Sequence, residues 1–340
     1  MTRYTAKILM TLAAVFCFTT LILFLAGAPP VDTWLHLVKG SLGSWTRFSR
    51  VIAAWIPLSL CACGLLYTFR IGLWNIGVEG QMMMGAVMTI FVLRFEMDGS
   101  TMPILMLILS FAAGMAGGGI WALLAGYLKT KGGVNEIFAG LGLNFVAQGI
   151  ILWLIFGPWK RPGVASMSGT EVLPRELWLP QISSLRLSPY ALVITLAAIG
   201  VTALMLRYTR IGLGLKAIGG NPKAAWLFGL KPDRYMLVAM MFAGGFAGLA
   251  GSIQVTDIYH RLIPSISSGY GYLALLVVML ANYRVWIAPA VALFFACLNA
   301  GSIQLPMVLK LDSSLSGVIQ GSLVLAFLAV QGWRRSGKSG

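Results

Sequence analysis

The stretch PILMLILSFAAGMAGGGIWALLAGY, residues 103–127, carries no charged side chain along its whole length. A helix rises 1.5 Å per residue, so about 20 apolar residues cross the hydrocarbon layer of a bilayer. This segment therefore reads as a membrane-spanning helix. Working outward from it, the chain divides into about ten apolar runs, at 8–27, 51–69, 81–95, 103–127, 137–157, 189–206, 236–255, 272–283, 285–303 and 315–331. The run 81–95 is short. The run 272–283 spans only if the preceding PSISSGYGY, residues 264–272, dips into the membrane with it; non-helical backbone is tolerated at that depth where protein buries it.

Composition agrees. Of 340 residues, 58% are hydrophobic and only 10% charged, with a mean hydropathy of +0.85. Soluble domains carry about 25% charged residues, so this chain cannot cover a water-facing surface. Disorder, a collagen-like fibre and a coiled coil are excluded, because each needs a polar or periodic composition. The fold class that follows is an all-α polytopic membrane protein, read as one transmembrane domain over residues 1–340.

The formal net charge is +15, from 25 Lys and Arg against 10 Asp and Glu. These basic residues sit mainly in the gaps between apolar runs, where they set topology rather than bind nucleic acid. With the N-terminus inside, the cytoplasmic gaps hold Arg70, Lys129, Lys131, the group from Arg207 to Arg234, the short turn at Arg284, and Arg334, Arg335 and Lys338. Both termini then lie in the cytoplasm, as an even span count requires. The outside gaps 28–50 and 158–188 also carry base, so the asymmetry is partial. Arg3 and Lys7 before the first run read as a retained signal-anchor, since that run exceeds the usual signal core and more spans follow. Cys17, Cys61, Cys63 and Cys297 lie inside apolar segments and read as small hydrophobes.

Small residues concentrate in FAAGMAGGG (111–119) and FAGGFAGLAG (242–251). Each holds Gly-x-x-x-Gly, Gly114 with Gly118 and Gly244 with Gly248, which lets helix backbones approach closely in lipid.

Three polar islands interrupt the apolar pattern. In RIGLWNIGVEGQMMMGA (70–86), Glu79 stands between Gly77 and Gly80 with Asn75 and Gln81 nearby. A carboxylate at membrane depth faces a partner or a wet cavity. Two roles stay open: holding a bend through backbone hydrogen bonds, or touching the solute. In GGVNEIFAGLGLNFVAQG (132–149), Asn135 and Glu136 read as a helix start, and Asn144 and Gln148 share one face. They bind either a neighbouring helix or a polar solute. In RIGLGLKAIGGNPKAAWLFGLKPDRY (210–235), Asn221 is an N-cap, Pro222 suits the first helical position and Gly229 closes a short helix at about 222–228. A helix so short needs something to pack against.

GWRRSGKS (332–339) satisfies the phosphate-loop pattern literally, but only Gly340 follows, so no helix N-terminus can face a phosphate. His36 and His260 are the only histidines, and neither has further ligands at metal-binding spacing. No catalytic constellation appears, and the chain reads as a transporter component rather than an enzyme.

The islands together resemble the permease subunits of ATP-binding-cassette importers for simple sugars and nucleosides, most of all the longer nucleoside-importer permease. NIGVEGQMMMGA resembles the family's Asn-Ile-Gly-x-Glu-Gly-Gln signature through Asn75, Ile76, Gly77, Glu79, Gly80, Gln81, Gly85 and Ala86. GVNEIFAGLGLNFVA is similar to its Asn-Glu…Leu-Asn-Tyr stretch through Asn135, Glu136, Leu143 and Asn144, with Phe145 where Tyr is usual. LKAIGGNPKAAWLFGL resembles the loop that couples to the ATPase, through Ala217, Ile218, Gly219, Asn221, Pro222, Ala224, Ala225 and Gly229. Ile319, Gln320 and Gly321 suit the last helix. One departure stands out: after LALLVVM the family has Leu-Gly and a Pro-Gly turn, whereas this chain reads LANYRVW, with Ala281 in place of glycine. The resemblance puts that segment near the solute path.

The resemblance implies a ten-helix permease of the type II, vitamin B12-importer-like architecture in the bacterial cytoplasmic membrane. It implies two ATPase subunits that bind ATP and magnesium, so that this chain holds no cofactor, a second permease, either a paralogue or a second copy, and an external solute-binding protein. Asn75, Glu79, Gln81, Asn144 and Gln148 would border the solute path; Gly219, Asn221, Pro222, Ala224, Ala225 and Gly229 would meet the ATPase. A competing reading is an ion-coupled transporter or channel with Glu79 as the ion site.

Overall fold

The computed structural model describes residues 29–96, 102–161, 169–182 and 187–302, with isolated positions at 17–27, 163 and 308–322 besides. Most of the predicted runs 8–27 and 315–331, Ile319, Gln320 and the basic tail lie outside the described residues. The chain forms two compact units, one of residues 1–54 with 294–340, the other of residues 55–293.

Among the described residues regular structure is helical, apart from one isolated bridge between Ile182 and Leu187. The helices are α1 (Pro30–Leu42), α2 (Trp45–Arg70), α3 (Val78–Leu93), α4 (Pro103–Thr130), α5 (Glu136–Phe156) and α6 (Pro189–Tyr208). They continue with α7 (Arg210–Gly220), α8 (Pro222–Leu227), α9 (Pro232–Ile253), α10 (Tyr270–Leu280) and α11 (Ala288–Ser302). Among the described residues six elements are long and apolar enough to cross a membrane: α2, α3 with its 3-10 extension to Glu96, α4, α5, α6, and α9 with its extension to Tyr259. The helices α10 and α11 are apolar but shorter.

Two helices fall where the sequence reads as gaps. α1 begins on Pro30 with Asp32 in its first turn and Lys39 in its last, which suits the helix dipole. Its interleaved polar residues keep it from registering as an apolar run. α7 starts on Thr209, whose hydroxyl accepts the Gly212 N–H at 3.2 Å. In the first unit, α1 approaches α11 at glycine: a Cβ built on Gly40 would lie 2.9 Å from the Gly301 carbonyl oxygen.

In the second unit α3, α4 and α9 meet along a glycine seam. The two Gly-x-x-x-Gly segments pack on each other. A Cβ on Gly118 would sit 2.8 Å from Gly248 Cα, and one on Gly244 would lie 2.5 Å from the Ala122 Cβ. From the third side, Gly85 faces Gly248 so closely that any side chain would overlap backbone. In lipid, helices have no hydrophobic drive to associate, so close van der Waals contact and interhelical hydrogen bonds hold the seam. The hydroxyls of Thr89 and Ser252 supply one such bond, 2.7 Å long and buried.

The C-terminal end of α9 widens into a π segment, Gln254–Tyr259. Such a turn and the irregular chain beyond it leave carbonyls without helical partners. A strap at 169–182 meets them: Leu179 N–H donates to Thr256 O at 3.1 Å, Leu173 to His260 O at 2.8 Å and Thr170 to Leu262 O at 2.9 Å. Buried backbone groups must be paired, and the strap does that here.

Candidate functional site

The first island breaks the chain between α2 and α3, as its glycines predict. Residues 71–77 form turns, and α3 starts at Val78. Asn75 and Gln81 lock the break with a reciprocal amide pair, at 2.9 and 2.8 Å. Both are fully buried, at 0% and 1% exposure. Pairing satisfies amide groups that would otherwise be costly at that depth.

Glu79 is the second residue of α3, in its first turn, and is buried. Its oxygens accept the backbone N–H groups of Gly269, at 3.1 Å, and Gly271, at 2.8 Å. Gly269 is the N-cap of α10. Glu79 thus caps α10 from another helix, its acceptor oxygens meeting the N–H groups at the positive end of a half-helix. A Cβ on Gly271 would lie 2.5 Å from Glu79 Oε2 and 2.8 Å from its Cα. Only glycine lets α10 come this near.

The second island docks onto the first. Asn135 caps α5, its side-chain oxygen accepting the Ile137 N–H at 2.8 Å. Glu136 pairs with Lys129 at 2.8 Å, stapling the start of α5 to the end of α4. Asn144 accepts the Gly80 N–H at 2.8 Å, donates to Ile76 O at 3.0 Å and lies 3.1 Å from the Tyr272 hydroxyl. One turn on, Gln148 donates to Pro264 O at 3.1 Å. Gly77 and Gly140 make this docking close, with 3.2 Å from a Cβ on Gly77 to Gly140 Cα. Trp121 Nε1 lies buried beside Gly80 with no hydrogen-bond partner among the described residues.

Asn75, Glu79, Gln81 and Asn144 are therefore brought together, with Gln148 a turn away. They surround the start of α3 and the segment 263–272. Sequence reasoning missed Gly269, Gly271, Tyr272 and Pro264. Two of these contribute only backbone N–H groups and one only a carbonyl, which no side-chain type advertises.

The coupling residues form a separate cluster. Asn221 Oδ1 accepts the Ala224 N–H at 3.1 Å, Pro222 opens α8 and Gly229 ends it at φ +83°. Ala225 is buried, while Trp226, Leu227 and Phe228 are exposed, Phe228 at 88%. Gly219 packs against the backbone where α2 ends, its Cβ position 3.2 Å from Ile71 Cα. This joins the cluster to the chain just before Asn75.

The LANYRVW departure lies elsewhere than the Glu79 cluster. Tyr283 stacks at a tilt on Phe69, centroids 5.3 Å apart, and borders a cavity with Arg70, Arg207 and Lys216. Asp257 and His260, three residues apart, do not face one another: Gln181 donates to Asp257 Oδ1 at 2.9 Å, and His260 stacks on Trp178 at 3.6 Å.

Comparison with known proteins adds ancestry to this geometry. Residues 47–328 match the family described as branched-chain amino acid transport system / permease component. A glucose ABC transporter permease of Haloferax volcanii is 28% identical over 315 residues, covering 90% of this chain and 82% of that one. A guanosine ABC transporter permease of Bacillus subtilis is 24% identical, covering 90% and 87%. A nucleoside ABC transporter permease of Lactococcus lactis subsp. cremoris is also 24% identical, covering 89% and 85%.

Proposed function

Because the chain belongs to the branched-chain amino acid transport system permease family, we propose that it moves a nucleoside or a related small polar solute into the cell. It is a membrane-embedded permease subunit of an ATP-binding-cassette importer, and hydrolysis belongs to a separate ATPase subunit. The observation that carries the solute class is the naming of relatives that align along about nine-tenths of this chain: guanosine, nucleoside and glucose permeases. All three names describe polar, hydroxyl-rich solutes.

In this reading the whole chain works as one ten-helix domain of the type II architecture, in the bacterial cytoplasmic membrane with both termini inside. It pairs with a second permease, two ATPases holding ATP and magnesium, and an external solute-binding protein. α8 is the contact with the ATPase, offering Trp226, Leu227 and Phe228 between Lys223 and Lys231. Movement there passes through Gly219 to the end of α2 and on to the break at Asn75. Asn75, Glu79, Gln81, Asn144 and Gln148 then hold the wall of the solute path. Alternating access follows if the ATPase binds the two bundle states with different affinity.

The ion-coupled alternative needs Glu79 free to take up an ion. Its two oxygens already accept backbone N–H groups, which favours the capping role. The test is a mild-detergent pull-down of the tagged chain from its native membrane, followed by uptake of labelled guanosine and glucose in vesicles. Recovery with an ATPase and ATP-dependent guanosine uptake is expected. Recovery of the intact chain alone, with uptake driven by an ion gradient, would overturn the reading.

A further inference from the structure

The turn between α10 and α11, where this chain departs from its family's glycine-containing pattern, holds two consecutive non-glycine residues at positive φ, Asn282 at 49° and Tyr283 at 59°. Asparagine visits that region readily; tyrosine does so only when its surroundings hold it there. The conformation is fixed by Tyr283 N–H donating to Val278 O and Arg284 N–H to Ala281 O, both 3.1 Å. It directs Tyr283, Arg284 and Trp286 to the wall of a cavity of about 570 Å³.

Three more cations line the same cavity: Arg70 from the end of α2, Arg207 from the end of α6 and Lys216 from α7. No carboxylate lines it, and among the described residues none pairs with these four. Arg70 Nε is buried without a hydrogen-bond partner among the described residues. Four like charges around one cavity repel unless an anion joins them. The remaining wall is apolar, including Leu206, Leu213 and Ile287. Trp286 and Tyr208 stand exposed at 69% and 70%, where spans end, the level at which aromatic rings meet lipid headgroups.

We propose that this cavity binds the phosphodiester headgroup of an anionic phospholipid, with the acyl chains along its apolar wall. Basic pockets between membrane helices bind such headgroups. An acidic patch on the ATPase would meet the charges but leave the apolar half unused, and α8 already presents a separate aromatic surface.

The test uses the full chain with its co-purifying partners, delipidated and titrated with phosphatidylglycerol or phosphatidylcholine while native mass spectrometry counts bound lipid. Phosphatidylglycerol should bind at least about tenfold more tightly. The triple variant R207Q/K216Q/R284Q should erase that preference, whereas K131Q/R234Q, with charges outside the cavity, should keep it. If the triple variant fails to assemble, R284Q alone should reduce the preference by about fivefold. Equal affinity for the two lipids, or an unchanged preference in the triple variant or in R284Q, overturns the proposal. Displacement by millimolar glycerol 3-phosphate overturns the lipid in favour of a free phosphate. Loss of the ATPase from the triple variant with lipid binding intact assigns the cavity to the ATPase and also overturns it.

Discussion

Gly271 donates its backbone N–H to Glu79 Oε2 at 2.8 Å, across 192 residues of chain. The bond joins a spanning helix to the N-terminus of a half-helix, and Gly269 repeats it on the other oxygen. Glu79→Ala leaves two donors unmet, the buried Gly271 N–H and the part-buried Gly269 N–H; a buried unmet donor costs about 1–3 kcal/mol. Glu79→Gln keeps one acceptor. Glu79→Gln is expected to retain uptake within about twofold per assembled complex while lowering the thermal midpoint, since one of the two N–H donors loses its acceptor, at about 1–3 kcal/mol. Glu79→Ala is expected to lose assembly. Abolished uptake by a fully assembled, wild-type-stable Glu79→Gln complex would move Glu79 from capping to solute or ion contact.

Gly248 makes a second, sharper test. A Cβ there would overlap the Gly114 carbonyl and sit 3.2 Å from Gly118 Cα. Backbone cannot yield as a side chain does, so Gly248→Ala is expected to destabilise the seam by about 1–3 kcal/mol. Gly200, in α6, has nothing within 4 Å of its Cβ position. Gly200→Ala should be neutral or stabilising by up to about 1 kcal/mol. Thermal unfolding of the two variants in detergent, measured side by side, checks the contrast.

These two positions also mark what the sequence discloses. Six of the ten expected spans are matched among the described residues by helices long enough to cross, whereas the runs 272–283 and 285–303 hold the shorter α10 and α11. The six are legible because lipid-facing chemistry is set by local composition, as α4 shows from its residues alone. The Gly-x-x-x-Gly pairs announce close packing, but not that Gly114, Gly118, Gly244 and Gly248 choose one another, nor that Gly85 joins them. Caps at Asn135 and Asn221 are legible because they act within a few residues. The donors to Glu79 are not, because backbone N–H groups carry no sequence signature. Asp257 and His260 fail to meet because the π segment and the left-handed His260, at φ 53°, break the helical register.

At α8, burial separates two substitutions. Ala225 is 4% exposed, so Ala225→Glu would tear the helix from its own bundle and report on folding. Phe228 is 88% exposed, so Phe228→Asp should leave the thermal midpoint of the isolated chain unchanged. Aromatic anchors carry about 2 kcal/mol or more at interfaces. ATPase co-purification is therefore expected to fall by more than tenfold. Unchanged co-purification and transport would remove α8 from the interface.

The strap at 169–182 carries a pH dependence through His260. Burial holds its imidazole below the ordinary value of 6.5, partly opposed by the Thr256 carbonyl, 3.1 Å from Nδ1. Asp257 is the carboxylate nearest in sequence, but it is engaged by Gln181, and the ring facing His260 is the uncharged Trp178. A depressed histidine binds protons more readily when its surroundings open. The stability it contributes is present above pH 6.5 and is lost as pH falls through the folded-state value. Hydrogen exchange at Thr170, Leu173 and Leu179, whose N–H groups hold the strap, is expected to show more opening at pH 5 than at pH 7.5 after correction for intrinsic rates. His260→Phe keeps a stacking ring and removes the titration, so the difference should flatten. An equal difference in His260→Phe would place the pH response outside this ring pair.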